Sequence, residues 1–239
     1  MKIWHISDTH GNHGQLPATR KGRAHEEVDL IIHTGDATNW YGPQQNLPEM
    51  YYFLDWFEQF DVPKIYVAGN HDGAIAGKLV VKEDFEKRGI IYLEESEVEI
   101  DGVRFWGSPY TPTFNRWHFM KSRQKLDRYW RYAIPDDVDV VLTHGPPKYV
   151  LDLTLDRKNI PEYVGDKSLL NRICGLNEVE GVKPQAHLFG HVHNFKDIRN
   201  AGTFRSSDHD MPDTLFSNGS CVTDAVRGQL TSWGNIIEL

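Results

Sequence analysis

Residues 2–11 read Lys2-Ile3-Trp4-His5-Ile6-Ser7-Asp8-Thr9-His10-Gly11, a short apolar run that stops on an acid and an imidazole beside a glycine. Four similar runs follow at Leu30 to Ile32, Ile65 to Ala68, Val138 to Leu142 and Ala186 to Phe189. Each has strand length, and several are rich in Val and Ile, the pattern of strands covered on both faces. Their ends read His33-Thr34-Gly35-Asp36, Gly69-Asn70-His71-Asp72, Thr143-His144-Gly145 and Gly190-His191-Val192-His193. In open α/β sheets, ligands gather at the carboxyl ends of strands, where loops aim side chains into one crevice. Residues two apart in an extended segment point the same way, so Asp8 with His10, and His191 with His193, read as pairs facing one ion. Carboxylate, imidazole and amide donors together suit borderline divalent ions: Mn, Fe, Zn, Co or Ni.

Amphipathic stretches separate these runs. Glu49 to Phe60 places Met50, Phe53, Leu54 and Phe57 on one helical face, and helices are predicted over Lys78–Lys87, Met120–Tyr132 and Lys167–Cys174. Further strands are predicted at Ile90–Leu93, Val98–Ile100, Val103–Trp106, Thr214–Phe216 and Asn235–Ile237, with a hairpin turn at Asp101-Gly102. The mixture predicts two packed sheets flanked by helices. With no repeat, low-complexity tract or Gly/Ser linker, residues 1–239 read as one domain.

The net charge of −8 argues against a long nucleic-acid groove, whose affinity comes largely from neutralising phosphates. A small anionic substrate held locally by metal ions fits better. Two distant cysteines without metal-finger spacing fit a reduced protein, and no basic leader or membrane-length apolar run is present. The expectation is a soluble cytoplasmic protein with no membrane partner; the sequence does not settle its oligomeric state.

The motifs D-x-H, G-D, G-N-H-D, T-H and G-H-x-H, running in this order from Asp8 to His193, resemble those of the calcineurin-like metallophosphoesterase superfamily. The resemblance implies a four-layer α/β/β/α sandwich of two mixed sheets flanked by helices. It implies two divalent ions, Mn foremost, with Fe, Zn, Ni and Co as alternatives. Asp8, His10 and His193 would hold one ion and Asn70, His144 and His191 the other, with Asp36 shared. His71 would be the catalytic histidine, and Asp72 its candidate orienting partner. A narrower resemblance, to the MPPED-type metallophosphodiesterase branch, rests chiefly on Trp106-Gly107-Ser108-Pro109-Tyr110-Thr111-Pro112. It implies activity on cyclic nucleotides or other small phosphodiesters. One departure is Asn39, where many superfamily members carry an acid three residues after the shared Asp.

The chemistry follows from the residue types. Two ions roughly 3.5–4 Å apart lower the pKa of a bridging water and clamp a phosphoryl oxygen. The resulting hydroxide would attack phosphorus, and His71, the catalytic histidine that the resemblance implies, would protonate the leaving oxygen. His13, His118 and Arg157 are the candidate substrate contacts; their plainer readings are a solvated loop histidine, a packed aromatic and a charged loop. The segment Leu151 to Asp166 reads as loop, His5, His33 and His187 as buried hydrogen-bonding groups, and His25 and His209 as surface positions. The competing functions are a phosphomonoesterase or nuclease with the same dinuclear site, and a non-catalytic metal-binding scaffold.

Overall fold

A computed structural model describes residues 1–178, 184–206, 213–223 and 229–239, and His209 lies outside them. The strands that form its two main sheets are β1 (Lys2–Ile6), β2 (Leu30–His33), β3 (Lys64–Tyr66), β4 (Ile91–Tyr92), β5 (Ser96–Ile100), β6 (Val103–Ser108), β7 (Val140–Thr143), β8 (Ala186–Phe189), β9 (Gly202–Phe204), β10 (Leu215–Asn218) and β11 (Asn235–Glu238). The first sheet has the order β11-β1-β2-β3-β4, and the second β9-β10-β8-β7-β6-β5. Both are mixed. Strand β11 runs antiparallel to β1 while β1 through β4 are parallel; β5 and β9 are the antiparallel edges of the second sheet.

Side-chain alternation builds the layers. Ile3, Leu30, Ile32, Ile65, Phe105, Val140, Leu142 and Leu188 fill the space between the sheets. On the opposite face of the first sheet, Trp4, Ile31 and Tyr66 meet Met50, Phe53, Leu54 and Phe57 of α1 (Pro43–Phe57), together with Phe85 of a short later helix. On the far face of the second sheet, Trp106, Val141, Phe189 and Phe216 meet Leu126 and Trp130, with Leu169 and Ile173 of the last helix. The result is the expected α/β/β/α sandwich. The period of two is what puts successive residues of one strand into different layers.

Register aligns the strand ends that carry the polar motifs. Ile6 lies opposite His33, and His33 opposite Tyr66, so the segments after β1, β2 and β3 leave side by side. Leu142 opposite Leu188 does the same for β7 and β8. The sheets are joined at this end: Ser7 N–H donates to Gly219 O at 2.9 Å, and Cys221 N–H to Ser7 O at 3.0 Å. The two sets of carboxyl ends therefore open on one cleft.

Several element boundaries differ from the sequence reading. Helix α1 begins at Pro43, six residues before Glu49, because the Pro at its first position suits a helix start and Pro48 is accommodated inside. Of the predicted Lys78–Lys87 helix only α3 (Lys82–Glu86) forms, entered from an extended Val81, and a further short helix, α2 (Gly73–Ala76), lies ahead of the predicted stretch. Met120–Lys121 pairs with Thr111–Pro112 as strand, and α4 (Arg123–Ala133) starts after Ser122, whose hydroxyl accepts Lys125 N–H. The last helix, α5, spans Lys167–Glu178. The predicted loop Leu151–Asp166 holds a hairpin of Leu153–Leu155 and Pro161–Tyr163, closed by Asp156 Oδ1 accepting Lys158 and Ile160 N–H.

Candidate metal centre

The polar side chains at the strand ends converge into three groups: Asp8, His10 and His193; His10, Asp36 and His71; and Asp36, His144 and His191, with the donor atoms of each group within 4.8 Å of one another. His10 and Asp36 each belong to two groups, so the three form one continuous cluster. Asn70 joins it through Oδ1, 2.9 Å from His144 Nε2. Every residue predicted as a metal ligand is therefore in the cluster.

The route to convergence differs from the one expected. Asp8, His10, Asp36 and His191 all have positive φ (49°, 44°, 55° and 70°) and are not extended. These are left-handed turns, each a strained choice for a residue with a Cβ, and such strain concentrates at functional sites. The turns also separate His191 from His193. His191 Nδ1 lies 3.1 Å from His144 Nε2, whereas His193 Nε2 lies 3.0 Å from Asp8 Oδ1 and 3.4 Å from His10 Nε2.

The donor set fits divalent cations. His10 Nδ1 meets Thr38 O at 3.0 Å and His144 Nδ1 meets Thr34 O at 2.9 Å. A carbonyl only accepts, so Nδ1 carries a proton in both rings and Nε2 is turned into the cluster, the usual outer support of a ligating histidine. Around His144 Nε2 stand Asn70 Oδ1, His191 Nδ1 and Asp36 Oδ2 (2.9, 3.1 and 3.3 Å). One N–H cannot serve three such neighbours; a cation can.

Charge in the cluster follows from burial and pairing. Burial would raise both carboxylates, but the hydrogen bond and charge of His193, with His144 and His10, hold Asp8 well below its ordinary range. Burial is likewise outweighed at Asp36, chiefly by His144, so it too stays ionised. Burial opposes protonation of His144, yet attraction to Asp36 pushes it up to about 9. Burial dominates at His10 and His191, pushed down to about 4 and about 3, so both imidazoles are neutral at neutral pH.

His71 stands at the cleft. Its Nδ1 meets Asn39 O at 2.9 Å, and Trp117 stacks on its ring at a centroid distance of 3.9 Å. The partnership expected between Asp72 and His71 does not form. Asp72 is fully buried and faces away, accepting from the N–H groups of Asp36, Ala37 and Gly69 and from the hydroxyls of Tyr66 and Thr38. Neighbouring residues of a tight turn point apart, and Asp72 ties the β2 and β3 loops together instead.

Asn39, at the departure from the superfamily pattern, donates through Nδ2 to His10 O at 2.6 Å, so an amide supports the loop there.

The substrate candidates fare less well. His13 is buried against Tyr52, Phe53 and Trp56, with ring centroids 4.6, 5.4 and 5.1 Å away, and burial pushes it down to about 4. Its loop folds onto α1, which neither the substrate reading nor the solvated-loop reading foresaw. Arg157 is exposed at the tip of the 153–163 hairpin. His118 stacks on Tyr41 and bonds its carbonyl through Nε2 at 2.8 Å. A cavity of about 650 Å³ over the cluster is lined by Trp40, Phe114 and Trp117 as well as Asp36, His71 and His193, and by none of these three candidates. Trp117, beside His118 in the stretch expected to line the pocket, does line it; Glu49, which also lines it, was missed, and the 46–49–50–53 spacing on α1 was the available signal.

The sandwich and its strand-end cluster define the class: an α/β/β/α protein with a candidate site for divalent metal at its strand ends. The sequence profile described as calcineurin-like phosphoesterase matches residues 1–195, and the chain belongs to that family. It is 32% identical over 199 residues to metallophosphoesterase domain-containing protein 1 of Homo sapiens, covering 73% of this chain and 57% of that protein. A UPF0046 protein of Caenorhabditis elegans is 31% identical, with 81% of this chain and 63% of that protein covered. A probable rhamnogalacturonate lyase C of Emericella nidulans is also 31% identical, over 81% of this chain but 17% of that protein. The chain thus spans less than two thirds of each of these relatives. Among solved structures, TT1561 of Thermus thermophilus shares the fold, with a TM-score of 0.54 at 14% identity over 91% of this chain and 88% of that one.

Proposed function

We propose that the chain is a metal-dependent phosphodiesterase acting on small diesters. The observation that carries this reading is the joining of three donor groups through His10 and Asp36 into one cluster, which suits a pair of divalent ions sharing a carboxylate. Bound there, two such ions supply a water of lowered pKa and neutralise charge on the phosphoryl oxygens. The remaining work falls to the chain. Asp8, His10 and His193 hold one side, Asn70, His144 and His191 the other, and Asp36 lies between. His71, on the cavity wall and turned by Asn39 O and Trp117, holds the proton that the leaving oxygen needs. Manganese is our first choice of ion, with Fe, Zn, Ni and Co accepted by the same donors.

Diesters are favoured over monoesters because a second cavity of about 650 Å³, walled by Pro112, Pro146, Val164 and Phe195, shares Phe114, His191 and His193 with the first. A phosphoryl group at the cluster can send one ester arm into each. A monoester fills one. Trp40, Phe114 and Trp117 suit a flat ring in the first cavity. Arg123, the cation of the second, is already engaged by the carbonyls of Val164 and Gly165, both at 2.8 Å, so a second phosphate finds little there. Among the described residues no helix is long and apolar enough to cross a membrane. A substrate panel with manganese tests the proposal: cyclic nucleotides and aryl diesters should turn over faster than the matching monoesters. Faster monoester turnover, or degradation of DNA at ordinary salt, contradicts it.

A further inference from the structure

Helix α1 turns two polar side chains, Asn46 and Glu49, toward the loop that follows Asp36. Asn46 Nδ2 reaches Trp40 O and His71 O, both at 2.8 Å. Glu49 Oε2 accepts the N–H groups of Asn39 at 2.7 Å and Trp40 at 3.2 Å. The Trp40 N–H and the Asn39 carbonyl are opposite ends of one peptide group. That carbonyl receives Nδ1 of His71 at 2.9 Å. Carboxylate, peptide and imidazole therefore stand in line, the N–H end of the peptide on Glu49 and its C=O end on His71.

We propose that Glu49 is a positioning residue for His71, acting through the Asn39–Trp40 peptide. A carboxylate on the N–H end polarises the amide and strengthens its carbonyl as an acceptor, because hydrogen bonds in a chain reinforce one another. The stronger acceptor holds one ring proton on Nδ1 and turns Nε2 to the cleft, as the nitrogen that takes up a second proton and passes it to the leaving oxygen. Position 39 carries no acid, and the negative charge nearest this peptide comes from the helix. Glu49 lines the cavity beside His71, so the device sits where it acts. The inference rests on the reading of His71 as the group that faces the leaving oxygen.

Two variants test it. Glu49→Met keeps the stem and removes the acceptor; Glu49→Gln keeps an acceptor for both N–H groups. With 3′,5′-cyclic AMP, whose leaving group is an alkoxide, E49M should lower kcat about tenfold at unchanged KM and metal content, and E49Q should stay within about threefold of the parent. With bis(4-nitrophenyl) phosphate, whose leaving group needs little protonation, E49M should lose less than about threefold. Nitrogen-15 spectra of the metal-free proteins should show the Nδ1–H tautomer of His71 in the parent and E49Q, and a mixture in E49M. An equal fall on both substrates, loss of metal in E49M, or an unchanged tautomer overturns the proposal. If the parent turns over neither substrate, the phosphodiesterase reading fails, and the tautomer spectra alone decide the role of Glu49.

Discussion

Asp72 accepts hydrogen bonds from three backbone N–H groups and two hydroxyls while fully buried. Burial and the neighbouring Asp36 push it up to about 6, so it remains mainly ionised at neutral pH with donors around it. Asp72→Ala would strand those donors, and we expect a loss of about 3–5 kcal/mol in stability by urea unfolding, the usual cost of breaking such a buried set. Were Asp72 the partner of His71, the same change would spare stability and strike turnover. His71→Ala should keep both ions by elemental analysis and lose about 100-fold on an alkyl-leaving diester, within the range that one general acid supplies. Asp36→Asn should instead lower metal occupancy, because Asp36 faces donors on both sides of the cluster. The ligands themselves were legible as residues, since each is a side-chain donor close to a glycine at a strand end. The partners of His71 were not, because a backbone carbonyl leaves no mark in a sequence and Asn39 and Glu49 meet only when α1 folds back.

At the scale of elements, the turn after β8 is where the sheets grip one another. A Cβ on Gly190 would lie 2.0 Å from Ser7 Oγ and 2.1 Å from Asp8 Oδ2, so only glycine allows β8 to approach the end of β1. The approach lets Asp8 Oδ2 accept His191 N–H at 2.8 Å. Gly190→Ala should weaken metal binding at least about tenfold by calorimetric titration, comparable to losing an outer support of a ligand, while far-ultraviolet circular dichroism stays near that of the parent. The long strands and the apolar face of α1 could be read in advance because their periods are 2 and 3.6. The first turns of α1 could not: a proline inside a helix, here Pro48, is disfavoured, and Asn46 is fully buried there because it holds the Asp36 loop. The 153–163 hairpin was hidden for a related reason. Its strands are short and partly or largely exposed, so no alternation marks them.

For the molecule as a whole, the core contains histidines that burial keeps neutral. His5 and His187 are each pushed down to about 3, and His33 lies well below its ordinary value. Each has a hydrogen-bond partner: Ser217 and Thr34 for His5, Thr143 for His187, Thr9 for His33. A histidine with a depressed folded pKa contributes stability above the unfolded value near 6.5 and loses it as pH falls through that window. The unfolded chain binds the extra protons. Each of the three should therefore add a slope of up to about 1.4 kcal/mol per pH unit below about pH 6.5 in metal-free protein. His144 is protonated in both states there and adds none. Urea unfolding between about pH 8 and 4.5 reads the slope, and His187→Leu should flatten it by about one histidine's share. A flat profile contradicts neutral burial. The two-sheet class was legible from the alternation of apolar runs and helices, whereas the contacts between sheets were not, because residues such as Ser7 and Gly219 are far apart in sequence.

Our proposal stands on a strand-end cluster that holds two ions and turns them on a phosphodiester. Manganese titration of metal-free protein, with bound metal and hydrolysis of bis(4-nitrophenyl) phosphate followed together, puts both halves to the test at once. We expect saturation at two ions per chain, with hydrolysis rising as the second ion binds. Saturation at two ions without hydrolysis by Mn, Ni, Co or Zn, or binding that stops at one ion, would contradict it.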